Sequence, residues 1–187
     1  MRVGLKFAGL AACFVFTYLS CNSYGDVYVA NDNFKQAKIV TVGGMQQSEE
    51  THGITNFPKR FSVTYSKAQR PGVQAQVEMK LVFIQVPEKM QLATGAAVLI
   101  DSVSEDIQIV NITRTVQVSE KPTPSYPGEP REITSYKIFG TIIFQPELWQ
   151  KMMGAKTLAY RLTIDNLPYT FILTPEMLEK LRLFSRQ

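Results

Sequence analysis

Apolar and polar residues alternate with a period of two over most of the chain. Only near the end does the spacing change to that of a helix. Phe61, Val63 and Tyr65 alternate with Ser62, Thr64 and Ser66, which predicts a half-buried strand over 61–65. Val77, Met79, Leu81 and Phe83 share one face of a strand over 77–86. Its other face begins with Glu78 and Lys80 and turns apolar at Val82, Ile84 and Val86, so the strand is expected to end buried on both sides. Shorter strands are expected over 27–30, 37–42 and 96–100. A long one is expected over 107–118, where the alternation changes phase. Ile107 and Ile109 are odd, whereas Val110, Ile112, Val116 and Val118 are even, and this predicts a bulge near Val110 and Asn111. Gly43-Gly44, Arg70-Pro71-Gly72, Pro87-Glu88-Lys89 and a polar turn over 101–106 separate these runs.

The last fifty residues read as strand, helix, strand, strand, helix. A strand over 137–144 leads into Pro146-Glu147, which opens a helix over 146–155. Proline at the first helical position loses no hydrogen bond. Glu147 sits favourably at the positive end of the helix dipole. Leu148, Trp149, Met152 and Met153 form its apolar side. Leu158, Tyr160, Leu162 and Ile164 then alternate with wetter residues, Asp165 to Pro168 turns the chain, and Tyr169, Phe171 and Leu173 return it. Thr174 is placed to cap a second helix with Met177, Leu178, Leu181 and Phe184 as its stripe. The expected fold is α+β: a twisted antiparallel sheet of about seven or eight strands covered by two short C-terminal helices.

Two stretches escape this pattern. Residues 45–56 are polar and hold the chain's single histidine, His52. Residues 121–130 contain four prolines and a glycine, which no helix or interior strand tolerates. They form a connection between two long strands. Tyr126, Pro127 and the adjoining Arg131 are the candidate binding tip, because loops on rigid scaffolds often carry sites. Trp149, Met152 and Met153 are the candidate lining of an apolar pocket for a small apolar or lipid ligand.

The start of the chain has the parts of an export signal. Arg2 and Lys6 precede an uncharged run over 7–19, too short for a bilayer, which takes about 20 residues. The expected organisation is a signal peptide over 1–20, a tether over 21–33 and a single β-rich α+β domain over 34–187. Both cysteines of the chain, Cys13 and Cys21, fall at this end, so no disulfide forms within the domain. Tyr18-Leu19-Ser20-Cys21 resembles the lipidation site of bacterial envelope lipoproteins of the spirochaete type. The resemblance implies a lipid on Cys21 and attachment to a membrane, most simply the outer membrane. It also implies a protein partner in the envelope or at the cell surface. Two other readings stay open: cleavage after Ser23-Tyr24-Gly25, and lipidation at Cys13 on Leu10-Ala11-Ala12-Cys13. Residues 80–184 also resemble secreted and lipoprotein domains in which an antiparallel sheet ends in strand–helix–hairpin–helix. That resemblance implies a fold and no functional residue.

Composition narrows the chemistry. The chain has 187 residues and a net charge of +4. Without Arg2 and Lys6 it keeps 18 basic side chains against 16 acidic ones, scattered along the sequence, which argues against a nucleic-acid partner. One histidine and no cysteine in the domain cannot make a structural zinc site. Phosphate-cradling glycine motifs are missing, and Asp101, Glu105 and Asp106 lack the spacing of an EF-hand. No cofactor and no catalytic residue is expected. The expected function is a non-catalytic exported domain with a binding or structural role. Its alternatives are the apolar-ligand module and a hydrolase assembled from residues distant in sequence.

Overall fold

The computed structural model describes residues 23–32, 36–47, 60–121 and 131–187. Its strands are β1 (Ser23–Tyr24), β2 (Tyr28–Asp32), β3 (Ala37–Gln47), β4 (Arg60–Gln69), β5 (Val77–Val86), β6 (Leu92–Ile100), β7 (Val103–Lys121), β8 (Arg131–Phe144), β9 (Leu158–Ile164) and β10 (Leu167–Ile172). Helix α1 spans Pro146–Gly154 and α2 spans Pro175–Arg186. All described pairs are antiparallel. Nine strands follow one path, β1-β3-β4-β5-β8-β7-β6-β9-β10, and β2 pairs with β3 beside it. The α+β class with C-terminal helices holds. The strand count exceeds seven or eight, and Ser23–Tyr24, paired with β3, is a strand that the alternation did not mark. Residues 23–32 therefore lie within the sheet, and Tyr24 is buried. Within the stretch assigned as a tether over 21–33, the strand expected over 27–30 is present as Tyr28–Asp32, and Ser23–Tyr24 is a further one.

Several elements follow their local chemistry closely. Val77–Val86 runs over the expected residues, with Val77, Met79, Leu81 and Phe83 all buried. A register shift between Phe83 and Val86 then turns Val86 into the core, leaving Val82 and Ile84 half-buried. The bulge in β7 lies where the phase change placed it. The β7–β8 register shifts between Val110 and Thr113, and Asn111 takes φ 53°, a left-handed conformation that asparagine tolerates. Thr174 accepts from the Met177 backbone N–H at 3.3 Å, and Met177, Leu178, Leu181 and Phe184 are the buried stripe of α2.

Others extend past the sequence's punctuation. The strand expected to close at Gly43-Gly44 runs on to Gln47. A Cβ on Gly43 would stand 2.4 Å from the Val63 carbonyl oxygen, so glycine here permits close pairing and does not end the strand. The polar turn expected over 101–106 is only Asp101 and Ser102, with φ of 48° and 72°, and Val103 already begins β7. Asp165 and Asn166, at 50° and 64°, make an equally tight turn between β9 and β10. Pro168, expected in that turn, sits in β10, which ends the strand path and so tolerates a missing donor.

The sheet curls until its two halves face each other. Phe61 of β4 packs its ring 5.8 Å from Tyr169 and 4.9 Å from Phe171, both of β10, although five strands separate β4 from β10 along the path. Tyr160 of β9 stacks on Phe171 at 4.9 Å and meets Phe144 of β8 at 6.4 Å. Most of the core is thus sheet against sheet. The helices close one end of it: Trp149 of α1 packs on Phe144, Tyr65 and, at 5.9 Å, Phe184 of α2.

Candidate functional site

The curled sheet has two unlike ends. The helix end carries α1, α2 and the Asp101–Ser102 turn, whose Asp101 carboxylate accepts from the Lys156 and Thr157 backbone N–H groups at 2.8 Å each. Those donors, Thr157 first, hold the Asp101 carboxyl below its ordinary range. At this end Lys67 is buried along its stem, and its ammonium donates to the Ser185 carbonyl at 2.8 Å, 5.1 Å from the Phe184 ring centroid. Lys38 donates to the Gln187 carbonyl at 2.7 Å. Two cations thus serve the negative end of α2. Burial and, after it, the neighbouring Lys38 lower the Lys67 pKa.

Trp149, Met152 and Met153 belong to this end. Trp149 and Met152 are buried in the core cluster, and the indole N–H donates to the Ser185 hydroxyl at 3.2 Å. Met153 is half-buried and borders an open hollow of about 430 Å³ walled by Glu179, Arg182, Ser185 and Arg186. Arg182 spans that wall, donating to the Met153 carbonyl at 3.2 Å and the Ala155 carbonyl at 2.6 Å, the last acceptors of α1. The three residues share a helix, with Trp149 and Met152 turned into the core and Met153 toward this hollow. The side chains that would face a ligand there are polar.

The opposite end is where loops leave. Gln47 and Arg60 face each other across β3 and β4, so the connection over 48–59, which holds His52 and most of the polar stretch, departs here. Lys121 and Arg131 face each other at the described limit of β7 and β8, so the proline-rich connection departs from the same end. Tyr126, Pro127 and Cys21 lie outside the described residues, and Arg131 contributes backbone pairing to the first described rung of β8. Sequence reasoning named the two loops separately; the strands that flank them end toward the same side of the sheet.

Between them stands an arm. Pairing of β5 with β8 ends at Val86 and Tyr136, and pairing of β6 with β7 ends at Gly95 and Gln108. Beyond these points β7 and β8 continue in register with each other, out to Lys121 and Arg131. Val116 pairs with Tyr136 and Val118 with Thr134, on the face that Ile138 presents to the core further down. Val116 and Val118 are 61% and 58% exposed, so this is a core-type face carried past the core. Its root is held by Arg114, whose guanidinium donates to the Glu88 and Met90 carbonyls and lies 5.9 Å from the Tyr136 ring centroid. A hollow of about 250 Å³ opens beside it, lined by Met90, Leu92, Ile112 and Ile138 among others.

A feature that the sequence did not announce is a chain of three buried phenols. The Tyr24 hydroxyl donates to that of Tyr65 at 3.2 Å, and Tyr65 donates to Tyr160 at 2.9 Å. Burial pushes all three up from their ordinary pKa, so they stay neutral. The alternation marked Tyr65 and Tyr160 as core-facing, but only the curl of the sheet brings them together. Among the described residues no three His, Cys, Asp or Glu side chains gather as a metal site. Comparison with known proteins returns no match: no family model fits the chain, and no curated protein or solved structure is similar to it.

Proposed function

We propose that the chain is a non-catalytic lipoprotein domain of the bacterial envelope. It is exported through residues 1–20, held to a membrane by lipid on Cys21, and works through its loop end in a binding or structural role. The observation that carries this reading is the placement of β1. Ser23 and Tyr24 pair with Met45 and Gly44, Tyr24 is 5% exposed, and its hydroxyl belongs to the phenol chain. Cleavage after Gly25 would remove that strand and a buried aromatic side chain, a loss of the order of 3–5 kcal/mol for a large core residue. Cleavage before Cys21 leaves the domain whole. It also puts the lipidated residue two positions from the sheet. Among the described residues no helix is long and apolar enough to cross a membrane. An acyl anchor would supply the attachment, and stable attachment takes more than one chain.

Mass spectrometry of the mature N-terminus tests the proposal. An acylated Cys21 as first residue is the expected result, together with release of the protein into the soluble fraction by Cys21→Ala. An unmodified mature chain starting at Asp26 overturns it.

A further inference from the structure

We propose that the hollow beside Arg114 binds a small apolar carboxylate, its tail on Met90, Leu92, Ile112 and Ile138 and its carboxylate on the Arg114 guanidinium. This rests on the binding role proposed for the loop end and names its ligand class; it does not need the lipid on Cys21. The sheet is irregular around this point. Register shifts fall between Phe83 and Val86 in β5, between Leu92 and Ala96 in β6 and between Val110 and Thr113 in β7, the three shifts among the described strand pairs. Leu92, Ile112 and Thr113 belong to two of these and line the hollow. Ile138, also in the lining, pairs with Phe83 at the start of the other. The shift in β7 decides which side chain reaches the hollow. Ile107 and Ile109 face the core before it, and Arg114 stands opposite buried Ile138 after it, on the same face. Without the inserted residue that face would fall to Thr113 and Thr115. Re-aiming a side chain is what bulges commonly do beside functional sites.

The cation so placed is held still and keeps capacity to bind. Its bonds to the Glu88 and Met90 carbonyls and its contact with the Tyr136 ring fix the plane of the guanidinium. Its remaining N–H groups can serve a further acceptor. Among the described residues no carboxylate pairs with Arg114, and none lines the hollow. A guanidinium fork matches a carboxylate, and a fork already oriented loses little freedom on binding. The surroundings select the rest of the ligand. Met90, Leu92 and Ile138 are buried, and half-buried Ile112 stands beside them. The same face continues at the rung of Val116 and Tyr136, where Val116 is 61% exposed. Apolar surface of this kind receives a hydrocarbon tail and offers an inorganic anion no hydrogen bonds. The volume, about 250 Å³, lies under the roughly 300–1,000 Å³ of pockets for drug-sized ligands, so the tail is short.

The test titrates hexanoate, hexanol and hexylamine separately into the purified mature protein in a maltoside detergent, with protein-free micelles as the blank. Binding is read from the broadening of ligand proton signals. Saturable binding of hexanoate is expected, with the alcohol and the amine at least about tenfold weaker, as loss of a charge-assisted hydrogen bond implies. Ile112→Trp fills the hollow while leaving Arg114 on its carbonyls, and is expected to abolish binding. Arg114→Gln is expected to weaken it by at least about tenfold. Where that variant fails to fold by circular dichroism, Ile112→Trp and the ligand series decide. No saturable binding at millimolar hexanoate overturns the proposal. Equal binding of hexanol, or hexanoate binding that survives in folded Ile112→Trp, also overturns it. The mass of the N-terminus is read on the same preparation. A missing acyl group there overturns the anchor and leaves the hollow its ligand, whereas acylated protein that ignores hexanoate overturns the hollow and leaves the anchor.

Discussion

The hydroxyl of Tyr65 donates to that of Tyr160 at 2.9 Å, tying β4 to β9 across the interior of the curled sheet. Tyr24 completes the chain by donating to Tyr65. Tyr65 is the only member bonded on both sides. Tyr65→Phe therefore leaves two buried phenols without a partner and is expected to lower stability by about 1–3 kcal/mol. Tyr160→Phe removes one bond and costs less. Replacing all three by Phe restores a uniformly apolar site and recovers much of the loss. Urea midpoints of the four proteins check the ordering; equal midpoints for Tyr65→Phe and the parent would show the chain to be energetically idle.

The same phenols set an alkaline limit. Desolvation is the leading cause of the upward shift at each, and charge at a neighbouring phenol adds to it at Tyr65 and Tyr160. The folded protein keeps protons that the unfolded chain releases above its ordinary value of 10.0. Stability is thus fully present below that pH and falls as pH rises beyond it. In an alkaline titration the tyrosinate absorbance of these three side chains should appear together with loss of the folded circular dichroism signal. Their ionisation in a protein still folded would contradict the burial.

Gly140 is a closely packed point of β8. A Cβ there would stand 2.6 Å from Ile109 Cγ2 and 3.2 Å from Leu92 Cδ2. Gly140→Ala is expected to cost about 1–3 kcal/mol through overpacking. Ile109→Ala opens the space, so the double variant should be more stable than the sum of the two single losses implies. Strict additivity in thermal or urea unfolding would refute the clash.

Asn111 holds the β7 bulge at φ 53°. Asn111→Val puts a β-branched side chain in that conformation and is expected to cost of the order of 1–3 kcal/mol. Asn111→Gly should be close to neutral, since glycine adopts the angle freely. A Val variant as stable as the parent would mean that the bulge moves along the strand.

The bulge also shows what a sequence can state. Odd apolar positions up to Ile109 and even ones from Val110 onward have one simple explanation, an inserted residue, and the structure has it. The α2 stripe, the Thr174 cap and the 77–86 strand were legible for the same reason, since each depends on neighbours within a few positions. The first N-terminal strand was not legible, whereas Tyr28–Asp32 overlaps the strand expected over 27–30. Ser23–Tyr24 is two residues long, and only its partner Gly44–Met45 makes it a strand. The apolar cluster on α1 was legible as apolar, and the structure places Trp149 and Met152 in the core. Helical spacing shows which residues leave water and does not show whether another side chain or a ligand meets them.

By itself, then, the sequence determined the local elements: the alternating strands, two proline-started helices, the phase-shift bulge and the loops that could be neither. These rest on backbone sterics and short-range periodicity. The tertiary structure alone decided which strands face one another, that three tyrosines share two hydrogen bonds, and that the β3–β4 and β7–β8 pairs run out toward one end, where β1 begins. Those relations come from the curl of a sheet whose pairs lie up to scores of residues apart. Nothing in a local pattern encodes that closure; it is set by the burial of both sheet faces against each other at once.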